Sequence, residues 1–204
     1  MKKIFAAVLT ASMMLIGTSA FAQFSAGAGY MNSTLNDGKE SLALNGLYAG
    51  VSYNIPIAGG LGVAPGVYFS LLTKKDSGNL GTFTYAGDRT DMYLTVPLDL
   101  NYGIRIADGF KALLFAGPAF SYGLSSKTKL SGSIGDFSAG STRDNYGYED
   151  YGRIDVMLGG GVGVELENLV RFTVGYDYGM MDLDKTDAST LHRSQLHVGV
   201  AFLF

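Results

Sequence analysis

Eight stretches of alternating apolar and polar residues, connections that run long and short in strict turn, and a last stretch ending on Phe204 predict an all-β fold. The specific expectation is an eight-stranded antiparallel transmembrane β-barrel with short periplasmic turns and long external loops. In a strand, successive side chains point to opposite faces, so each stretch has one apolar and one polar face. Composition agrees, because 29 Gly, 13 Tyr and 12 Phe in 204 residues favour strands over helices.

The first residues read differently. Lys2 and Lys3 precede an apolar run over 4–16, and Ser19-Ala20-Phe21-Ala22 forms a small-residue cleavage region. That run is shorter than the roughly 20 residues of a membrane-spanning helix. Residues 1–22 are therefore expected to be a signal peptide and 23–204 the barrel domain. The absence of Cys excludes a disulfide framework and Cys-ligated zinc, and a net charge of -3 is too near neutral for a nucleic-acid partner.

In chain order, the expected strands cover 24–30, 44–57, 61–71, 92–106, 110–122, 153–166, 170–179 and 196–204. Residues 92–106 alternate most cleanly, with Met92, Leu94, Val96, Leu98, Leu100, Tyr102, Ile104 and Ile106 on one face. Residues 110–122 are less regular, because Leu113 and Phe115 fall opposite the main apolar face. Proline inside strands, at Pro97 and Pro118, suggests a local irregularity or bulge. Long polar connections are expected at 31–42, 73–91, 125–152 and 181–190, and short ones at 58–60, 107–109 and 167–169.

The apolar faces carry no charge, whereas the opposite faces collect Asp99, Arg105, Lys111, Arg153, Asp155, Glu165, Arg171 and Asp177. A soluble sandwich would send that charge to water, and a membrane barrel sends it inward. The alternating loop lengths favour the barrel. Three-residue turns would pair Ile57 with Leu61, Ile106 with Phe110 and Leu166 with Val170, which keeps the apolar face outward through every short turn. Outward aromatics gather near both ends, as in interfacial girdles.

The run Met92-Tyr93-Leu94-Thr95-Val96-Pro97-Leu98-Asp99-Leu100-Asn101-Tyr102 resembles the "Y-L-x-x-P-L-x-x-x-Y" strand of PorT-family outer-membrane β-barrel proteins. Phe115-Ala116-Gly117-Pro118-Ala119-Phe120 is similar to that family's following strand, and Gly161-Val162-Gly163-Val164-Glu165 to its later "G-x-G-x-E" strand. The closing residues Phe202 and Phe204 resemble the C-terminal assembly signal read by the barrel-assembly machinery. The resemblance implies a cell outer membrane location among lipid and lipopolysaccharide, and a role accessory to protein secretion or to another envelope protein. It brings no catalytic residue.

The eight inward charges are expected to form a hydrogen-bonded network that fills the lumen, since an eight-stranded barrel is just wide enough for side chains. The alternative is a narrow porin-like channel for ions or small solutes. Tyr146, Tyr148, Glu149, Asp150 and Tyr151 form the candidate external contact loop, because tyrosine joins a large contact area to a polar tip; an ordinary solvated loop is the alternative. Gly159-Gly160-Gly161-Val162-Gly163 lacks the phosphate-loop pattern and is expected to make room for large neighbours such as Tyr48, Tyr68 and Tyr93. Residues 182–187 lack the sixth-position glycine and twelfth-position glutamate of a calcium loop. His192 and His197 lie on opposite faces by parity, and no acid–base constellation surrounds a nucleophile. No enzyme activity, cofactor or metal is expected.

Overall fold

The computed structural model describes residues 23–80, 83–134, 137–148, 151–184 and 190–204. The expected signal peptide lies outside these residues, as do Glu149 and Asp150. Nine strands are present among the described residues: β1 (Gln23–Asn36), β2 (Ser41–Ala58), β3 (Leu61–Leu80), β4 (Phe83–Ala107), β5 (Phe110–Ile134), β6 (Phe137–Asp144), β7 (Ile154–Leu166), β8 (Val170–Gly179) and β9 (His192–Leu203). A single helical turn, α1 (Asn145–Tyr148), follows β6.

Eight of the strands close a ring. Each pairs antiparallel with the next, β5 pairs with β7, and β9 returns to β1 with Ala28 opposite Val200 and Tyr30 opposite Val198. Closure leaves no strand edge in the apolar belt, where unpaired N–H and C=O groups would find no water. β6 stands outside the ring and pairs only with the upper part of β5.

Strands overrun their expected limits at the long-loop end. Only Asp37–Glu40 remain between β1 and β2, and β3 and β4 stay paired up to Leu80 opposite Phe83. The 125–152 connection holds the end of β5, β6 and α1. Apolar alternation marks only the part of a strand that faces lipid. Above that belt the ladder continues with polar residues on both faces, so the change in composition reads as a loop.

Two short turns are tighter than expected. Ala58 pairs with Leu61 and Ala107 with Phe110, and one-residue bulges at Ile57 and Ile106 restore the pairing of Pro56 with Gly62 and of Arg105 with Lys111. The bulges preserve the outward parity that three-residue turns would give. The third turn places Glu167 and Asn168 at φ 52° and 53°, and Leu166 pairs with Val170. Around Pro97 and Pro118 no residue is inserted. The ladders lapse for two residues instead, at Gly66–Val67 opposite Val96–Pro97 and at Leu98–Asp99 opposite Gly117–Pro118, as expected for a residue without an N–H.

The outward series stays exposed, including Leu47, Leu98, Leu114, Val162, Val174 and Phe202. The burial order of a soluble protein is thus inverted, with apolar residues outside and much of the interior polar. Val174, between Val162 and Val198, lies midway along this belt. Val174→Arg is expected to destabilise the barrel by about 2–4 kcal/mol, the cost of a cation at the bilayer midplane. Urea unfolding in lipid vesicles measures it.

Candidate functional site: the lumen and its cover

The inward faces build three layers along the barrel axis. At the short-turn end, Lys111, Glu165 and Arg171 occupy one cross-strand row of β5, β7 and β8. Glu165, 3% exposed, lies 3.0 Å from Lys111 Nζ and 2.9 Å from Arg171 Nη2. Asn168 Oδ1 also accepts from Lys111 Nζ, which ties the turn to the row. Asn101 Nδ2 donates to Asn54 Oδ1 at 2.7 Å, and Asn101 reaches the layer above.

The middle layer encloses a cavity of about 130 Å³ lined by Tyr48, Tyr68, Asp99, Phe115, Asp177 and His197, among others. Asp177 Oδ2 accepts from Gln195 Nε2 at 2.8 Å and lies 3.5 Å from His197 Nε2. The glycines of β7 and β8 make this layer possible. A Cβ at Gly159 would strike Asp177, one at Gly161 would strike Phe115, and one at Gly175 would strike His197. Tyr48 takes the space left by Gly199 of β9.

The upper layer centres on Arg193, which is 1% exposed. Its Nε lies 3.4 Å from Asp155 Oδ2, and its guanidinium stacks 4.0 Å from the Tyr93 ring centre. Next to it, buried Asp91 accepts from Arg89, from Ser126 Oγ at 2.6 Å and from Tyr93 OH at 3.1 Å. Asn145 Nδ2 of α1 donates to Ser126 Oγ at 2.8 Å, which anchors the segment after β6 to the barrel wall.

A cover closes this layer from above. Tyr146 stacks on Tyr151 at 5.4 Å, with Arg89 over the Tyr151 ring at 5.6 Å and Arg153 over the Tyr146 ring at 4.4 Å. Arginine stacks favourably on an aromatic face. Leu183, 2% exposed, completes an apolar cluster with Met31, Leu35, Leu44, Leu72 and Tyr151. Backbone bonds join the two covering segments, Gly152 N to Leu183 O at 2.7 Å and Leu183 N to Leu191 O at 2.9 Å. Asp182 Oδ1 accepts from the N–H groups of Asp184 and Leu191, so this acidic segment closes on itself by hydrogen bonds. Burial pushes the Tyr146 and Tyr151 phenols above their ordinary value, and the cover carries no phenolate at neutral pH.

Several placements differ from expectation. Arg105 and Arg153 are exposed at opposite rims: Arg105 pairs with Lys111 next to the short turn, and Arg153 precedes β7 and lies over the Tyr146 ring. Tyr146 and Tyr151 pack over the lumen instead of reaching outward, since the inward apolar residues Leu35, Leu44 and Leu72 need an apolar lid. Tyr148 ends α1. Arg193, Tyr93 and Leu183 were not singled out as site residues in the sequence, although odd-number parity along β9 puts Arg193 on the inward face with Gln195 and His197. Phe202 and Phe204 are 53% and 76% exposed on the outer surface, and Phe204 N donates to Phe24 O at 2.8 Å.

Residues 16–185 match the family model described as outer membrane protein beta-barrel domain. Among solved structures, the attachment invasion locus protein Ail of Yersinia pestis, in complex with the heparin analogue sucrose octasulfate, is similar over 90% of this chain and 99% of its own. The identity is 16% and the TM-score 0.51. Neisserial surface protein A matches over 89% of this chain and 97% of its own, at 15% identity and a TM-score of 0.47. A major outer membrane protein from Thermus thermophilus matches over 90% and 100%, at 17% identity and a TM-score of 0.45. The likeness to Ail is one of fold. No curated protein matches the chain in sequence.

Proposed function

The chain belongs to the family of outer-membrane β-barrel domains and lies in the outer membrane, and we propose that it works there as a closed, non-enzymatic barrel whose external surface carries the function. The observation that carries this reading is the cover: Tyr146, Tyr151 and Leu183 seat on the upper lumen, above a paired Arg193 and Asp155. A fold alone does not set function, so the weight rests on this site. The part free to meet partners is the projecting sheet of β3, β4, β5 and β6. Its partners are lipopolysaccharide, an envelope protein or, following the PorT-type strand motifs, a component of a protein secretion system.

A narrow channel for ions or small solutes is the second reading, favoured by the polar middle cavity. Liposome swelling separates the two. Vesicles carrying the pure protein should swell in isosmotic arabinose no faster than empty ones, and rapid swelling would support the channel.

We also propose that Phe202 and Phe204 serve as the assembly signal. Their exposure at the short-turn end leaves both rings available to the barrel-assembly machinery before lipid surrounds them. Phe202→Ser with Phe204→Ser is expected to reduce the folded, heat-modifiable form in outer membranes severalfold, with the unfolded chain accumulating in the periplasm.

A further inference from the structure

A second hollow lies on the outside of the barrel, where the apolar face of β8 and β9 ends. It is a crevice of about 480 Å³ lined by Asn36, Asp37, Tyr176, Tyr178, His192 and Ser194, among others. The register fixes its height. Tyr176 pairs with Leu196 at the last apolar row, Tyr178 with Ser194 in the next, and His192 with Asn36 above that. All share the outward parity of Val174 and Val198, so the crevice opens sideways toward the membrane. The β1–β2 turn overhangs it from the external side. Directly below runs the exposed apolar strip of Phe172, Val174, Leu196 and Val198.

We propose that this crevice binds the sugar headgroup of an outer-leaflet glycolipid, whose acyl chains lie along Val174, Leu196 and Val198. A hollow at headgroup level above an uninterrupted apolar strip suits an amphiphile better than a free solute. Its lining suits a sugar. Tyr178 is 48% exposed and its ring lies 5.6 Å from that of His192 with the planes 32° apart, offering an aromatic face beside a hydroxyl at Ser194. Ring faces of this kind stack on the C–H faces of sugars, while a few convergent polar groups fix orientation.

Asp37 selects among headgroups. Its Oδ1 accepts from Glu40 N at 2.6 Å and Lys39 N at 2.9 Å, and these bonds hold the carboxyl below its ordinary value. The group is therefore ionised at neutral pH. Among the described residues no bond to Oδ2 occurs, which leaves that oxygen to accept from a sugar hydroxyl or amine. The same charge disfavours an anionic headgroup that has no sugar ring to seat against Tyr178 and His192. The inference rests on the outer-membrane location and not on the lumen being closed.

The chain has no Trp, so Tyr178→Trp places a single indole in the crevice of the full-length protein. In phosphatidylcholine vesicles, titration with lipid A, a phosphorylated glucosamine disaccharide lipid, should shift its emission saturably, and phosphatidylglycerol should not. Asp37→Asn in the same background keeps the turn's acceptor and should weaken lipid A binding about tenfold, the loss of one charge-assisted bond. Native mass spectrometry of the unsubstituted protein guards against damage by the indole: lipid A should be retained at detergent concentrations that strip phosphatidylglycerol. No saturable shift together with no selective retention, equal binding of both lipids, or full affinity in Asp37→Asn would each overturn the proposal. None of these results bears on solute passage through the lumen, so the closed-barrel reading stands or falls separately.

Discussion

Replacing Glu165 with leucine is expected to destabilise the barrel by about 3–5 kcal/mol, because it strands the largely buried Arg171 without its counter-charge. Glu165 is 3% exposed and sits between Arg171, whose side chain is 11% exposed, and Lys111, whose side chain is 31% exposed at the rim. The pairing itself need not be the source of stability, since desolvating Glu165 and Arg171 carries a cost that their attraction only partly offsets. A triple variant, Lys111→Met with Glu165→Leu and Arg171→Met, should therefore recover most of the loss. Urea unfolding in vesicles distinguishes the two. A single variant within about 1 kcal/mol of the parent would show that water reaches the row and screens it.

Removing the cover should change access to the lumen more than it changes global stability. Leu183 and Tyr151 make the apolar contact that holds the two covering segments over Leu35, Leu44 and Leu72. Truncating a buried leucine to alanine costs about 2–5 kcal/mol where the site cannot collapse. If about 2 kcal/mol of that falls on the closed state of the cover, its opening becomes roughly 30-fold more populated. The chain has no Cys, so Thr173→Cys, which lines the middle cavity, provides a unique reporter. In intact cells, a membrane-impermeant thiol reagent should modify it slowly in the parent and roughly 30-fold faster with Tyr151→Ala and Leu183→Ala present. Equal rates would show that Tyr151 and Leu183 do not close the external mouth.

The lipid-facing half of this architecture was legible because hydrocarbon imposes a strict rule: one residue in two must be apolar wherever the strand meets lipid. The outward run from Met92 to Ile106 and the series ending on Phe204 follow directly from it. The Glu165–Arg171 opposition follows from the same parity carried through a short turn. The cover obeys no such rule. Tyr146 and Tyr151 sit in a stretch rich in glycine, serine and aspartate, and what draws them inward is the set Met31, Leu35, Leu44 and Leu72, contributed by three other strands. Met31 and Leu35 fall in an expected polar connection, Leu44 at the start of one expected strand and Leu72 just past the end of another, until the register aligns them on one inner wall. Arg193 was hidden for a related reason, because its partners Asp155 and Tyr93 come from β7 and β4, far away in sequence. The extra strand β6, Phe-Ser-Ala-Gly-Ser-Thr-Arg-Asp, carries no apolar alternation and joins the sheet through its ladder to β5.

Single-channel recording in planar bilayers tests the closed barrel most directly. Pure, folded protein inserted at low density should leave the current at the level of the unmodified bilayer across the voltage range, because the cover, the Arg193–Asp155 pair and the Lys111–Glu165–Arg171 row fill successive sections of the lumen. Reproducible unit steps of conductance from that same preparation, abolished by Arg193→Met or shifted in ion preference by Asp177→Asn, would contradict it and establish the lumen as a channel.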